Sequence, residues 1–300
     1  MKKIIAISII YLLVVFLLGY FVWSNQRVFF DYSLPIDFEG FGTIGDFIGG
    51  ILGTLFAALA VYYAWLTFEK GTIKNHFYEM LKQHKDNVNA ISIVGVDVFE
   101  KYIKLIDTIY KSVLSKLNEN EETDTYKPFF KLAYLYFFYG APLDPQIISS
   151  PLNIERKKIE TLNQHFSINN IILKGHSVEL GIYFRQLYQI VTYINEQKAL
   201  SYKEKYEYVK SLRVCLNLNE QYLFFLNSMS TLGNVWELSQ GANNHDKRLI
   251  TKYNLLKNLP KSYNEEFLRF NFKRVYPNVY YEYMPEEKRK LRKMWEDKYS

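Results

Sequence analysis

A single cysteine, Cys215, stands in a chain of 300 residues. No disulfide can close within it, and neither a Cys-x-x-Cys redox pair nor a cysteine zinc cluster can be assembled; the usage fits a reducing compartment. Histidine is nearly as scarce, with five scattered residues and no His-Glu-x-x-His run. No Gly-x-x-x-x-Gly-Lys-Ser/Thr loop is present, no Gly-x-Gly-x-x-Gly follows a strand, and there is no Gly-x-Ser-x-Gly elbow. The arginine that one helical ribonuclease superfamily places four to six residues ahead of a histidine is also missing; the nearest pair, Arg156 and His165, is nine apart. No catalytic motif, cofactor site or metal site is therefore encoded locally. A site assembled from distant residues stays open.

What the chain does have is apolar mass. Hydrophobic residues make up 49% and aromatics 17%, against 23% charged residues and a net charge of +6. That balance supports a sizeable core and is not that of membrane spans alone. Two uncharged runs open the chain. Ile4 to Trp23 covers twenty residues, enough at about 1.5 Å per residue to cross a hydrocarbon core of about 30 Å. The second run, "GDFIGGILGTLFAALAVYYAW", gives a span from about residue 46 to 66. Trp23, Tyr62, Tyr63 and Trp65 fall near span ends, where amphipathic rings favour the interface. A cleaved signal peptide fits the first run poorly, because its apolar part is too long and the bulky "FVWSNQR" follows it.

Basic residues set an expected orientation. Lys2 and Lys3 precede the first span, and Lys70, Lys74, Lys82 and Lys85 follow the second. The connection between them has Arg27 against Asp31, Asp37 and Glu39. The positive-inside rule then puts both ends in the cytoplasm of an inner, plasma-membrane protein. Gly45, Gly49, Gly53 and Ala57 recur every four residues and form a small-residue face suited to close helix packing, with the first span or with a second copy of the chain. Asp46, at the outer edge of the span, is placed to cap the helix N-terminus.

The periodicity then becomes amphipathic. Phe77, Leu81, His84, Val88 and Ile91 share a helix face, and His84 within that stripe reads as a satisfied core or interface histidine. Gly95 is a candidate break. Phe99, Tyr102, Ile106, Ile109, Val113 and Leu117 mark a second helix that ends at the acidic run "NENEETD". A buried helix is predicted from Pro128 to Tyr139, and "GAPLDPQIISSP", with three prolines, reads as a break. A short helix is expected over Ile154–Phe166, while "SINNIILKG" is ambiguous. Two longer helices follow. The first has Leu180, Tyr183, Leu187, Ile190 and Ile194 on its apolar face. The second opens with the capping box Ser201–Glu204 and carries Val209, Leu212, Leu216, Leu223 and Leu226. Beside that last stripe runs a polar one of Arg213, Asn217, Glu220, Phe224 and Asn227, and Arg185 reaches Glu220 if the two helices pack antiparallel. The C-terminal "PEEKRKLRKMWEDKY" reads as a basic helix whose Lys288, Arg289, Lys290, Arg292 and Lys293 suit a solvated face, anionic lipid or nucleic acid.

The expected fold is mainly α: a transmembrane hairpin over residues 1–67, then one cytosolic α-helical domain over residues 68–300. In this order, "FGTIGDFIGGILGTLFAALAVYYAW", "NHFYEMLKQHKDNVNAI", "GHSVELGIYFRQLYQIVTYI" and "SLRVCLNLNEQYLFFLNSMS" resemble the AbiC-like family of phage abortive infection proteins, over about residues 40–230. The resemblance implies defence against phage by halting or killing the infected cell, with no known catalytic site. The positions matching the family's polar pattern are Arg185, Tyr188, Arg213, Glu220 and Asn227. Expected partners are the lipid bilayer, a phage component or host signal, and a second copy of the chain. A membrane-tethered nuclease or nucleotide-binding effector using Arg185, Arg213 and Glu220, and a non-catalytic interaction scaffold, are the competing readings.

Overall fold

A computed structural model describes residues 15–16, 19–20, 38–91, 97–120, 127–168, 174–237, 248–263, 270–284, 293 and 297. Among these the chain is helical. Its one β pairing is an isolated antiparallel bridge between Gly140 and Lys174. The chain divides into two units, Met1–Glu69 and Lys70–Ser300.

Helix α1, Phe38–Ile91, is continuous over 54 residues. Its apolar portion is long and apolar enough to cross a membrane, and none of the most apolar window is buried by the protein. Phe56, Val61, Tyr63, Trp65 and Phe68 all stand more than half exposed, an apolar surface that water would penalise and lipid would not. Within it, Thr54 donates to the Gly50 carbonyl at 2.6 Å and Thr67 to that of Tyr63 at 2.8 Å, so the hydroxyls are satisfied inside their own helix. Nothing stands within 4 Å of where a Cβ would sit on Gly45, Gly49 or Gly53. Asp46 is not a cap: helix α1 already begins at Phe38, so this carboxylate lies inside it. The first predicted span lies outside the described residues apart from Val15, Phe16, Gly19 and Tyr20, which are helical. Gly95 and most of the basic C-terminal helix lie outside them as well; Lys293 and Asp297 are helical.

The second unit is a helical domain with an aromatic core. The end of α1 buries Ile73, Phe77, Leu81 and His84 on one face. Helix α2, Val98–Leu117, starts at Asp97, whose carboxylate accepts from the Phe99 and Glu100 amides, and ends at Asn118 in the left-handed region. Helix α3, Pro128–Tyr139, is apolar on every side and correspondingly sunk into the domain, with Tyr134 and Tyr136 fully buried. The proline-rich run after it breaks the chain over residues 140–144, as expected, and its second half is then a helix. Helix α4 spans Pro145–Leu152, with Asp144 accepting from the Gln146 amide and Pro145 in the first turn, where a missing N–H is harmless. Helix α5, Arg156–Ile168, is tied back by Asn163, which accepts from Tyr136 Oη (2.9 Å) and donates to the Leu143 carbonyl (2.7 Å).

Helix α6, Ser177–Glu196, buries the predicted face of Leu180, Tyr183, Leu187, Ile190 and Ile194. The predicted long helix that follows is two helices, α7 over Tyr202–Cys215 and α8 over Leu218–Met229. A 3-10 turn at Asn234–Trp236, helix α9 over Leu249–Tyr253 and helix α10 over Phe272–Val275 complete the described elements.

Candidate functional site

The predicted polar stripe changes meaning once α7 and α8 separate. Asn217 is the N-cap of α8: its Oδ1 accepts from the Glu220 amide, and Glu220 Oε2 accepts from the Asn217 amide, both at 2.8 Å. This reciprocal capping box is the twin of Ser201–Glu204 at the start of α7. The other oxygen of Glu220 accepts from Tyr183 Oη of α6 at 3.4 Å. Burial pushes the Glu220 carboxyl up, and nearby Asp97 adds to this, while the Asn217 and Tyr183 hydrogen bonds pull it back. Burial, and then Glu220 itself, push the Tyr183 phenol well up, so it stays a neutral donor.

Arg185 does not take the predicted place beside Glu220. It is exposed, and its Nε donates to the Gly181 carbonyl of its own helix at 2.9 Å. Arg185 follows Tyr183 by two residues, about 200° around the helix, so only one of them can face α8. Tyr188 packs edge-on against Trp236, ring centroids 5.1 Å apart.

Arg213 is 4% exposed at the end of α7, and Nη1 donates to the carbonyls of Tyr253 (3.3 Å) and Asn254 (2.9 Å). It thereby holds the C-terminus of α9, where Asn254 adopts φ 50° and its side chain accepts from the Tyr280 amide at 2.9 Å. Its Nε is buried without a partner. Asn227 donates to Tyr134 Oη at 2.9 Å, linking α8 to α3, and its carbonyl accepts from the Ser230 hydroxyl at 2.7 Å. Thus Glu220, Arg213 and Asn227 each bind a different neighbouring element. Among the described residues they do not converge on one another, and no group of three His, Cys, Asp or Glu side chains could hold a metal ion.

His84 joins this set from α1. It is 1% exposed, and neither Nδ1 nor Nε2 has a hydrogen-bond partner. The expectation of a satisfied core histidine holds for its burial and fails for its hydrogen bonding. Burial lowers its pKa to about 4, so the ring is neutral at cellular pH. Asn87, one turn on, donates to Gln186 at 2.7 Å, and His76 packs on Tyr193, so α1 is fastened along α6 by polar and aromatic contacts together. Asp97, the α2 cap, also accepts from Asn219 at 2.6 Å, and Asn219 accepts from Tyr263 Oη at 2.7 Å. Hydrogen bonds thus join α1 to α6 through Asn87 and Gln186 and α6 to α8 through Tyr183 and Glu220, while Asp97 ties α2 to Asn219 of α8. Asn195, whose Oδ1 accepts from Lys252 Nζ and Tyr253 Oη at 2.8 Å, ties α6 to α9, and Asn254 is a connector of the same kind; sequence reading missed both because a lone asparagine carries no spacing signal.

No match was found among curated proteins or solved structures. A family model does match, and it begins at Gly175, just ahead of α6, and runs through α7, α8 and α9. That segment holds Tyr183, Arg213, Glu220 and Asn227. Over residues 175–263, therefore, the chain is similar to the family described as "Putative phage abortive infection protein".

Proposed function

We propose that this is a membrane-anchored anti-phage defence protein of the abortive infection type. The helical domain after Lys70 senses a phage component or host signal, and the protein acts at the inner membrane. The match over residues 175–263 carries the reading, because it covers α6 and α8, joined by Tyr183 and Glu220, and the contact of Arg213 with the end of α9. The exposed apolar length of α1 supports anchoring. In this reading the domain and the N-terminus lie on the cytoplasmic side, as the distribution of Lys70, Lys74, Lys82 and Lys85 favours. The Gly45, Gly49, Gly53 and Ala57 face then packs on the first span or on a second copy.

A nuclease or nucleotide-binding reading finds less support, since Arg185, Arg213 and Glu220 are spread over separate contacts. The testing experiment is a phage-panel plating assay. It compares the full chain, residues 69–300 alone and an empty vector, with membrane potential followed during infection. Protection with depolarisation by the full chain alone is expected. Equal protection by the soluble fragment without depolarisation would overturn the membrane mechanism.

A further inference from the structure

The N-terminal half of α7 runs beside α1 just past the apolar stretch, and between them lies an open groove of about 480 Å³. Lys70, Lys74 and Tyr78 line it from α1; Ser201, Lys203 and Tyr208 line it from α7. Two acids also face it, and both are already engaged. Glu204 accepts from Lys70 at 2.6 Å and from the Ser201 amide and hydroxyl at 2.8 Å. Burial alone would raise the Glu204 carboxyl, but these bonds from Lys70 and Ser201 outweigh it and hold it at about 2. Glu207 is paired with Lys210 at 2.9 Å. Lys74 and Lys203 are exposed and have no acidic partner among the described residues. The groove therefore carries two uncompensated ammonium groups between aromatic walls.

Its place along α1 names the occupant. Lys70 and Lys74 follow Leu66 by four and eight residues of continuous helix, about 6 and 12 Å along the axis. The polar headgroup zone extends roughly 5–8 Å beyond the hydrocarbon on each side. Lys70 lies within that zone and Lys74 a few ångström beyond it, from where its long side chain turns the ammonium group back toward phosphates, as lysines near such a boundary do.

We propose that the end of this groove nearer the apolar stretch binds the headgroup of an anionic phospholipid, with the Lys74 and Lys203 ammonium groups on the phosphate. The inference rests on the membrane anchoring proposed above.

The test is native mass spectrometry of the full chain released from micelles doped with phosphatidylglycerol, phosphatidylcholine or inorganic phosphate. Wild type is expected to retain phosphatidylglycerol in preference to phosphatidylcholine. Lys74→Gln and Lys203→Gln should each weaken retention about fivefold, and Lys74→Arg with Lys203→Arg should restore it. Both positions are exposed, so an unchanged unfolding midpoint serves as the folding control. Retention unaffected by the double Gln change overturns the inference, and so does equal competition by inorganic phosphate. Alkaline carbonate extraction separates the two levels: a chain that washes off membranes sinks the anchoring and this inference together. A chain that stays while its lysines prove indifferent sinks this inference alone.

Discussion

The imidazole of His84 lies over the ring of Tyr183, centroids 5.1 Å apart and planes inclined by 39°. One ring comes from the helix that carries the apolar stretch, the other from the helix that supplies Glu220 with its hydrogen bond. Both are buried, yet only the tyrosine is hydrogen-bonded. An unsatisfied buried polar group costs about 1–3 kcal/mol, so this contact is less stable than an apolar pair of the same shape would be.

Replacing that ring is therefore expected to stabilise the protein. His84→Leu should raise the unfolding midpoint by several degrees, measured on the detergent-solubilised full chain. The substitution also tests the acid side. The folded pKa of His84 is about 4, below the ordinary 6.5, so the unfolded chain takes up the extra proton. The contribution is complete above pH 6.5 and is lost as pH falls toward 4, by up to about 3 kcal/mol. Glu220, whose carboxyl is raised, works in the opposite sense, gaining stability on acidification. The difference between wild type and His84→Leu isolates the histidine; a difference independent of pH would refute its buried, neutral state.

The second capping box should be measurable one residue at a time. Asn217→Ala is expected to cost about 1 kcal/mol, as loss of an N-cap does. Glu220→Ala should cost more, since it also strands Tyr183 Oη inside the core. A double-mutant cycle between Tyr183→Phe and Glu220→Gln should show a coupling of about 0.5–3 kcal/mol. Strict additivity would mean that the 3.4 Å contact contributes nothing.

Three glycines within the domain differ sharply in what surrounds them. A Cβ on Gly233 would stand 2.1 Å from the Asn227 carbonyl oxygen, and one on Gly175 would stand 2.4 Å from the Tyr139 carbonyl carbon. Alanine at either position should be poorly tolerated, with reduced soluble yield or a lowered midpoint. Gly181, inside α6, has its nearest neighbour at 3.7 Å. Gly181→Ala should stabilise by about 0.5–1 kcal/mol through helix propensity.

Arg213 offers a test of structure against chemistry. Its hydrogen bonds go to backbone carbonyls, so Arg213→Ala should lower stability and cellular abundance, and protection should fall in proportion. Arg213→Lys keeps the charge but not the fork and should fall between. Full abundance and a normal midpoint with lost protection would instead assign Arg213 a chemical role.

These relationships were unequally readable in the chain. Helix α3 was legible to its ends, because a dense aromatic and aliphatic segment with proline at its start and glycine after its end carries both helix boundaries in its sequence. The face of α6 and the Ser201 cap were legible for similar local reasons. The corner between α7 and α8 was hidden because Leu212, Leu216, Leu223 and Leu226 keep helical spacing across it. The mark that mattered was Asn-x-x-Glu, the same start signal as Ser-x-x-Glu sixteen residues earlier. Pro145 misled in the opposite direction, since proline ends helices but also begins them. The pairing of Arg185 failed on angle, and the unpartnered nitrogens of His84 depend on neighbours from distant helices that no spacing encodes.

Trp236 sits 2% exposed between Tyr188 and the ring of Phe224, 4.6 Å away, while Trp65 stands 57% exposed on the apolar length of α1. Optically these are two reporters in contrasting surroundings. With Trp23 and Trp295 changed to phenylalanine, emission from Trp236 would follow the integrity of the helical domain, and quenching of Trp65 by brominated lipid would follow contact with the bilayer. A signal that alters one emission and leaves the other constant could then be assigned to the helical domain or to the apolar length of α1 without attaching any label.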